Sequence, residues 1–428
     1  MSEEEKRDIQ EEKAEEFSFV KERFKDELPS GKRLFYKSLK LAGCGIIFGM
    51  AASLAFYMLK PFVETTFAGT PSQISIPQDE DELQEEQDDE VEVPMSLEEQ
   101  VQTILTIDNY KELNKVLLPI ANEVGKSIVE VKGILEGEEW SESSYDARNS
   151  ASGIFMADNG QEVLILTYGS VLKEATAIQV TFVDNQTYLA TLKVQDGTTG
   201  FAVVSIAKEH LKESTWNQIE PALLGNSNIV MRGDAVIAIG KQHGFAGSTG
   251  YGIVSSSKNY VEKVDGIYGI LNTDMAASYN GTGVLVNLNG EIIGIINQNI
   301  ARDENRGLVT AYAVSGIKTQ ISNLLNGKEV PYVGVRGVDI TDVIAEQEGL
   351  PDGVYVKEVL SDSPAMASGI KMGDIITGVA QTDTPTLAAY QRELMESQVG
   401  DIVQVTGKRL GNEGYVDIQF SIVIGSIE

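Results

Sequence analysis

Histidine content is the feature that most limits the chemistry available to this sequence. The chain contains two histidines, His210 and His243, so any mechanism that needs an imidazole base has two candidates. Its one cysteine, Cys44, excludes an intramolecular disulfide and a zinc site built from a cysteine cluster. Ser170 and Lys173 are the two groups of a Ser–Lys arrangement, although nothing beyond their proximity supports it. We expect neither a metal nor another cofactor.

Charge and composition restrict the class of protein further. The 428 residues carry a net charge of −30, which argues against non-specific nucleic-acid binding, because that binding needs lysines and arginines to neutralise phosphates. An apolar fraction of 42 % and a charged fraction of 23 % are typical of a globular protein. The 41 glycines indicate many turns and a β-rich body. The length allows two or three domains.

The N-terminal part predicts a membrane anchor. Residues 1–40 form a charged tail, and residues 41–59 are 19 residues without a charge, long enough to span the hydrocarbon core as a helix. Residues 32–40 hold four basic and no acidic side chains, so the positive-inside rule places the tail in the cytoplasm and the later domains outside. A cleaved signal peptide is the rival interpretation; the long charged tail and the bulky end of the segment disfavour it.

An acidic linker and a helix are expected next. Residues 60–96 have the composition of a disordered linker, and ten of the fourteen residues at 79–92 are acidic. Apolar residues then recur at spacings of three and four as far as Val124, which predicts a helix. Ser96 is its expected N-cap, with Glu99 at the capping-box position.

Short apolar runs broken by Gly, Asn and Asp fill residues 127–326 and indicate antiparallel barrels or a sandwich. Asn289-Gly290 lies between two of these runs, which predicts a hairpin with a type I′ turn. A helical run, 317–325, ends at Asn326-Gly327 and closes this region.

The order of these runs resembles the HtrA (Deg) serine proteases, which have a chymotrypsin-like double β-barrel followed by a PDZ domain. The matching segments run in family order: Ser152–Phe155 (family G-S-G-V-I), Ile165–Thr167 (I-L-T-N-x-H-V), Phe201–Val204 (D-L-A-V-L), Val236–Gly240 (V-I-A-I-G-N-P), Gly252–Ser255 (G-I-V-S) and Leu271–Asp274 (I-N-T-D). Carried over to this chain, the resemblance implies the same double barrel.

The same resemblance implies that the catalytic triad is lost. The family's histidine falls on Ser170 and its aspartate on Gly200. The nucleophile loop is one residue shorter than the family's, so the serine falls on Gly281 when the loop is aligned from its right and on Thr282 when it is aligned from its left. Neither histidine matches the base position. Asp274 matches a family position, but a turn or a backbone bond accounts for it equally well.

The last hundred residues resemble an HtrA-type PDZ domain. Tyr332-Val333-Gly334-Val335 is similar to the Y-[LIV]-G-[IV] loop that holds a peptide carboxylate, and residues 363–376 closely follow S-P-A-x-x-A-G-I-x-x-G-D-I-I. In such a site a peptide adds as a strand to a sheet edge. The implied peptide-binding residues are Tyr332, Val333, Gly334, Val335, Leu387, Tyr390 and Leu394.

The expected fold class is therefore mainly β, with one N-terminal transmembrane helix, a leading helix and double barrel at 97–327, and an α+β PDZ domain at 328–428. The expected function is that of a membrane-anchored pseudoprotease that binds C-terminal peptides of membrane or exported proteins. By resemblance it is a homotrimer or assembles with an active HtrA, in a Gram-positive envelope. Two alternatives stay open: an active endopeptidase with non-standard catalytic residues, and a purely structural envelope protein.

Overall fold

The computed structural model describes residues 72–79, 107–135 and 149–427. The predicted tail 1–40, the predicted transmembrane helix 41–59 and the predicted cap at Ser96 lie outside these residues. Within the described ranges, no helix is both long and apolar enough to cross a membrane.

Helix α1, Ile107–Gly125, contains the part of the predicted helix that the structure describes. Leu117, Ala121 and Val124 are buried, and their spacing of four and three places them on one face. Val116 and Leu118, which flank Leu117, are exposed. The apolar periodicity in the sequence therefore reflects the burial of one helix face in the apolar core, where the helix contacts the strand Ala235–Gly240.

Six antiparallel strands close the first barrel in the order β1-β2-β3-β6-β5-β4. Apolar side chains of β3 and β6 are almost all buried, since these strands lie in the centre of the core. The strands are β1 (Ile128–Ile134), β2 (Ser150–Asp158), β3 (Glu162–Tyr168), β4 (Ala177–Thr181), β5 (Thr187–Gln195) and β6 (Phe201–Ala207). A single turn of helix, α2 (Glu213–Trp216), follows this barrel.

The second barrel closes in the order β10-β11-β12-β9-β8-β7. Its strands are β7 (Ala235–Gly240), β8 (Ser248–Lys263), β9 (Gly266–Ala276), β10 (Thr282–Val286), β11 (Ile292–Asn297) and β12 (Leu308–Ala313). Helix α3, Lys318–Leu325, follows it and packs against the first barrel. The predicted chymotrypsin-like double β-barrel is confirmed.

The hairpin predicted at Asn289-Gly290 joins β10 to β11, but its turn differs from the prediction. A type I′ turn needs a positive φ at both central residues, and only Gly290 has one (φ +82°). The Gly290 amide instead donates to the Asn287 carbonyl, and the Asn287 side chain accepts from the amides of Asn289 and Glu291. The Asn287 side chain thus stabilises a longer turn with glycine at its last position.

The C-terminal domain is a sheet with the strand path β13-β14-β15-β17-β18, with β16 paired to β15. Helices α5 and α6 pack on this sheet, as the predicted PDZ domain requires. The elements are β13 (Val335–Asp339), α4 (Asp342–Glu348), β14 (Val354–Val359), α5 (Pro364–Ser368), β15 (Ile375–Val379), β16 (Thr382–Asp383), α6 (Leu387–Met395), β17 (Ile402–Gly411) and β18 (Gly414–Val423).

The motif at 363–376 is a structural element of this domain. Ser363 caps α5 by accepting from the Met366 amide, and Gly369 ends the helix with φ +88°. Asp374 is buried and accepts two hydrogen bonds from the Arg409 guanidinium. These contacts fix the strand that follows the motif, so its residue types are explained without a role in binding.

Residues 72–79, which belong to the predicted linker, lie against the first barrel and α3. The Ser72 amide donates to the carbonyl of Asn159, in the turn between β2 and β3, at 3.0 Å. The Ile74 amide donates to the Asn326 side chain at 3.0 Å, and the buried Lys318 ammonium donates to Asp79 at 2.8 Å. This part differs from the expectation of a solvated run, because a buried cation is stabilised by the first acid of the acidic stretch.

Candidate functional site

The positions of the family's base and acid lie side by side in the first barrel. Ser170 is in a one-turn 3₁₀ helix, Gly169–Val171, directly after β3, and Gly200 directly precedes β6. These strands pair so that Tyr168 lies opposite Phe201, and the Gly169 amide donates to the Gly200 carbonyl at 2.9 Å. The fold therefore retains the arrangement of a base beside its orienting acid, while the side chains there are an exposed hydroxyl and a hydrogen.

Thr282, one candidate for the nucleophile position, is the first residue of β10 and lies opposite Asn297. Its Oγ1 accepts a hydrogen bond from the Ser152 amide at 2.9 Å, and its carbonyl accepts from the Ser152 hydroxyl and the Lys241 amide. The Thr282 side chain thus joins the two barrels. Among the described residues, no hydrogen bond links it to Ser170 or Gly200.

Gly281, the other candidate, is buried in a tight turn. Its amide donates to the Ser278 carbonyl at 3.0 Å, and its own carbonyl accepts from the Gln298 amide at 3.1 Å. A Cβ atom at this position would lie 2.8 Å from the Gln242 carbonyl oxygen. A serine side chain there would require the backbone to move, so the shortened loop differs from a serine-bearing loop in shape as well as in residue type.

Neither histidine lies at the base position. His210 is exposed at the end of β6, with its Nε2 3.9 Å from the Glu209 carboxylate. His243 is exposed in the turn after β7, closed by a hydrogen bond from the Gly244 amide to the Lys241 carbonyl. Lys173 is exposed as well, and no hydrogen bond joins it to Ser170 in the described part of the chain. Asp274 accepts from the Ile253 amide at 2.8 Å, which is the backbone bond expected of it.

Aromatic side chains fill the space between the barrels beneath these positions. The ring of Phe201 stacks on that of Tyr168 at 5.3 Å and meets that of Tyr312 at 5.5 Å, centroid to centroid. The Tyr168 hydroxyl donates to the Ile296 carbonyl across the barrels at 3.0 Å. Burial raises the pKa of Tyr168 well above its ordinary value, so its hydroxyl stays protonated and is no base.

A second polar cluster lies beside a cavity of about 330 Å³ between α1 and the two barrels. The buried Lys241 ammonium donates to the Ser150 hydroxyl and carbonyl, and the Ser150 hydroxyl donates to Glu130 at 2.6 Å. A serine activated by a lysine would instead donate its proton to the lysine nitrogen. Lys241 is a donor here, so this cluster connects the barrels rather than forming a nucleophile and base.

The predicted carboxylate loop is intact in the PDZ domain. Gly334 has φ +95°, and a Cβ there would lie 2.2 Å from the Cβ of Ser363, so only glycine fits. The loop leads into β13 at the sheet edge, and helix α6 forms the opposite wall with Leu387, Tyr390 and Leu394 buried on one face. Five of the seven predicted residues belong to one apolar cluster, namely Val333, Val335, Leu387, Tyr390 and Leu394, and Tyr332 and Gly334 lie in the same loop before β13.

A carboxylate from outside the PDZ domain already occupies the loop. One Asp265 oxygen accepts from the amides of Val333 and Gly334, both at 2.7 Å, and the other accepts from the Val335 amide at 2.9 Å and the Tyr390 hydroxyl at 3.0 Å. Asp265 lies in the turn between β8 and β9 of the second barrel and is buried.

Burial raises the pKa of the Asp265 carboxyl above its ordinary value, and the hydrogen bonds that it accepts oppose this rise. Sequence analysis missed this residue. Asp265-Gly266 has the form of an ordinary hairpin turn, and no local pattern indicates that the turn reaches another domain.

Comparison with known proteins divides the chain as the structure does. A family described as trypsin-like peptidase domain matches residues 151–295, and the PDZ domain family matches residues 331–420. A serine protease Do-like HtrA of Bacillus subtilis (strain 168) is 29 % identical over 326 residues, which cover 72 % of this chain and 70 % of that protein.

Two further relatives share a smaller part of their length with the chain. Serine protease Do-like HtrB of the same organism is 30 % identical over 280 residues, covering 61 % of this chain and 59 % of the relative. The periplasmic serine endoprotease DegP of Escherichia coli (strain K12) is 26 % identical over 275 residues, covering 63 % and 56 %. The chain therefore spans less than two thirds of either protein.

Solved structures support the fold. The HtrA-type protease AlgW with tripeptide superposes with a TM-score of 0.51 at 22 % identity, over 73 % of this chain and 97 % of that one. At this identity the likeness concerns the fold alone.

Proposed function

Because this chain belongs to the HtrA-type family, with a trypsin-like peptidase domain followed by a PDZ domain, we propose that it is a pseudoprotease that binds protein C-termini. The double barrel acts as a scaffold without hydrolytic activity, and the PDZ groove binds partners that present a free C-terminal carboxylate. The predicted transmembrane segment, residues 41–59, anchors the chain in the cytoplasmic membrane in this proposal, with both domains outside it.

The observation that carries the binding function is the convergence of three backbone amides. Those of Val333, Gly334 and Val335 all donate to one carboxylate at 2.7–2.9 Å. Backbone amides that surround a carboxylate are the means by which a PDZ groove holds a peptide terminus. Such donors belong to the backbone, so any peptide that presents a free C-terminal carboxylate offers them an acceptor.

The loss of hydrolytic activity is supported by the triad positions. Acyl transfer needs a nucleophile, a base within hydrogen-bond reach and a group that orients the base. Ser170 and Gly200 supply neither base nor acid, and the Thr282 hydroxyl accepts the Ser152 amide. Loss of the whole triad lowers kcat by about 10⁶ in a serine protease.

Anchoring and assembly complete the proposal. Residues 41–59 carry no charge, and basic residues precede them, which supports an anchor with the N-terminus inside. Partners are then membrane or exported proteins, and the protein acts as a homotrimer or in association with an active HtrA-type protease. A Gram-positive envelope is the proposed location.

The experiment is an activity and labelling assay on the full-length chain in detergent. Unfolded casein and a fluorophosphonate probe are added, with the Bacillus subtilis HtrA relative as the active control. We expect neither cleavage nor labelling. Cleavage that disappears in Thr282→Ala, or in a variant of His210 or His243, would instead establish an active endopeptidase with non-standard residues.

A peptide-binding experiment tests the remaining alternative, a purely structural envelope protein. If no hexapeptide with a free C-terminal carboxylate binds the chain or the Asp265 variants described below, the protein is a structural component of the envelope. The presence of Asp265 in the groove is the observation that favours this second candidate.

A further inference from the structure

The turn between β8 and β9 makes the contacts that a bound peptide would make. Besides its carboxylate bonds to the loop, Asp265 donates its own backbone amide to the Val335 carbonyl at 2.7 Å. Val335 is the first residue of β13, the edge strand to which a peptide would add. Asp265 therefore provides both the carboxylate and the main-chain donor of a C-terminal residue.

Contacts with helix α6 hold the same turn from the other side. The Tyr390 hydroxyl donates to Asp265 at 3.0 Å, and the Ile267 amide donates to the Gln391 side chain at 2.9 Å. The Ile267 side chain packs against the apolar core of the PDZ domain. The turn thus lies between β13 and α6, in the space that a peptide strand would need.

An aspartate at position 265 suits these contacts with the PDZ loop in two ways. Asp265 has φ +56°, a left-handed conformation that aspartate adopts more readily than most residues with a side chain. Aspartate is also the shortest side chain that carries a carboxylate. Asparagine would satisfy the backbone conformation equally well, so the carboxylate itself is explained by its contacts with the PDZ loop.

We propose that the turn centred on Asp265 is an internal ligand of the PDZ groove, and that a protein with a free C-terminal carboxylate binds by displacing it. This inference rests on the proposed peptide-binding function and adds its regulation. Only molecules whose turn has left the groove can bind a peptide. The apparent affinity for the peptide is therefore the affinity of the open groove multiplied by the fraction of molecules that are open. By linkage, a bound peptide in turn holds the β8–β9 hairpin free of the PDZ domain.

The test compares peptide binding by the full-length chain and two variants. Asp265→Asn removes the charge and tolerates the positive φ, and Asp265→Ala removes the side-chain acceptors. Asp417→Asn is the matched control, since Asp417 is exposed on β18 and pairs with Lys408. The probes are fluorescein-labelled hexapeptides ending in Val, Leu, Ile or Phe as free acids, each with its C-terminal amide, because the groove wall is apolar.

We expect both Asp265 variants to bind free-acid peptides with an affinity at least about tenfold higher than that of the unmodified chain. Asp417→Asn should match the unmodified chain, and the peptide amides should bind weakly throughout. Hydrogen exchange at the amides of Val333, Gly334 and Val335 should be faster in the Asp265 variants and slow again when peptide is added.

Two other outcomes overturn the inference and differ in what they leave standing. If the unmodified chain and the Asp265 variants bind free acids equally well, the turn is no competitor, while the proposed peptide-binding function holds. If the three amides exchange fast in the variants and still no peptide binds, the groove is a fixed interdomain contact, and both proposals fail.

Discussion

The triad positions and the carboxylate loop both correspond to functional sites of the family, yet they are built from different parts of the chain. At the triad positions the chemistry depends on three side chains, and here they are Ser170, Gly200 and either Gly281 or Thr282. At the carboxylate loop the donors are backbone amides held by a glycine turn. Three substitutions remove the first set of groups, whereas the second set persists as long as the backbone of the loop keeps its conformation.

Under the proposed function, this difference explains how one fold loses a catalytic site and keeps a binding site. Strands β3, β6 and β10 still place their ends as the double barrel requires, because burial of apolar side chains decides their position. The catalytic groups contribute little to that burial, so their loss does not disturb the barrels. The carboxylate loop, in contrast, is part of the fold itself, since Gly334 packs against Ser363.

The largest expected effect comes from a methyl group placed in the loop. Gly334→Ala would put a Cβ 2.2 Å from the Ser363 Cβ at a residue with φ +95°. We expect the PDZ domain to lose about 3–5 kcal/mol of stability from strain and overpacking, and peptide binding to be abolished. Hydrogen exchange of residues 331–425 in increasing urea measures the loss.

Gly373→Ala is the matched control for this change. Gly373 also has a positive φ, +90°, but nothing lies within 4 Å of its Cβ position. It should cost about 1 kcal/mol and leave peptide binding unchanged. Equal effects of the two variants would show that the loop has no special dependence on close packing at Gly334.

A smaller effect on stability is expected when the triad residues are put back. The triple variant Ser170→His, Gly200→Asp and Gly281→Ser restores the three side chains on the present backbone. Position 200 has φ +81°, and a Cβ at position 281 meets the Gln242 carbonyl at 2.8 Å. We expect a loss of about 2–4 kcal/mol and no fluorophosphonate labelling, because the backbone of the shortened loop leaves no room for a serine side chain at position 281.

The single variant Ser170→His controls for the exposed position. Ser170 lies on the surface, so this change should alter the unfolding free energy by about 0.5 kcal/mol or less. Labelling at position 281 in the triple variant would contradict the comparison, since it would mean that side chains alone separate this chain from an active protease.

The sequence predicted the elements whose signals are local. Short apolar runs broken by Gly, Asn and Asp indicated barrels or a sandwich, and the resemblance to the HtrA proteases specified two barrels. The motif at 363–376 indicated the PDZ domain by resemblance, and its cap, helix and turn lie within fourteen residues. The hairpin at Asn289-Gly290 was predicted, but its turn type was wrong, because the Asn287 side chain competes for the backbone amides. The turn propensities of Asn289 and Gly290 do not include hydrogen bonds to the Asn287 side chain.

Local sequence patterns could not predict contacts between residues that are far apart in the chain. Asp265 and the loop at 333–335 are about seventy residues apart, and only the docking of two domains brings them together. The pairing of Thr282 with Ser152 is equally non-local, so the sequence alone left the nucleophile at either Gly281 or Thr282. The structure gives each residue a distinct role, a buried turn at Gly281 and a link between barrels at Thr282.

The smallest expected effect concerns the hydrogen bond between Thr282 and Ser152, which links the two barrels. Thr282→Val keeps the branched shape and removes the oxygen that accepts the Ser152 amide, leaving a buried donor without its partner. We expect a loss of about 1–2 kcal/mol in the unfolding free energy. Thr191→Val, at an exposed position of β5, should change it by about 0.5 kcal/mol or less. If Thr282→Val instead leaves stability unchanged and removes a residual hydrolytic activity, the threonine is a nucleophile, and the contrast between a lost site and a retained one fails at its first member.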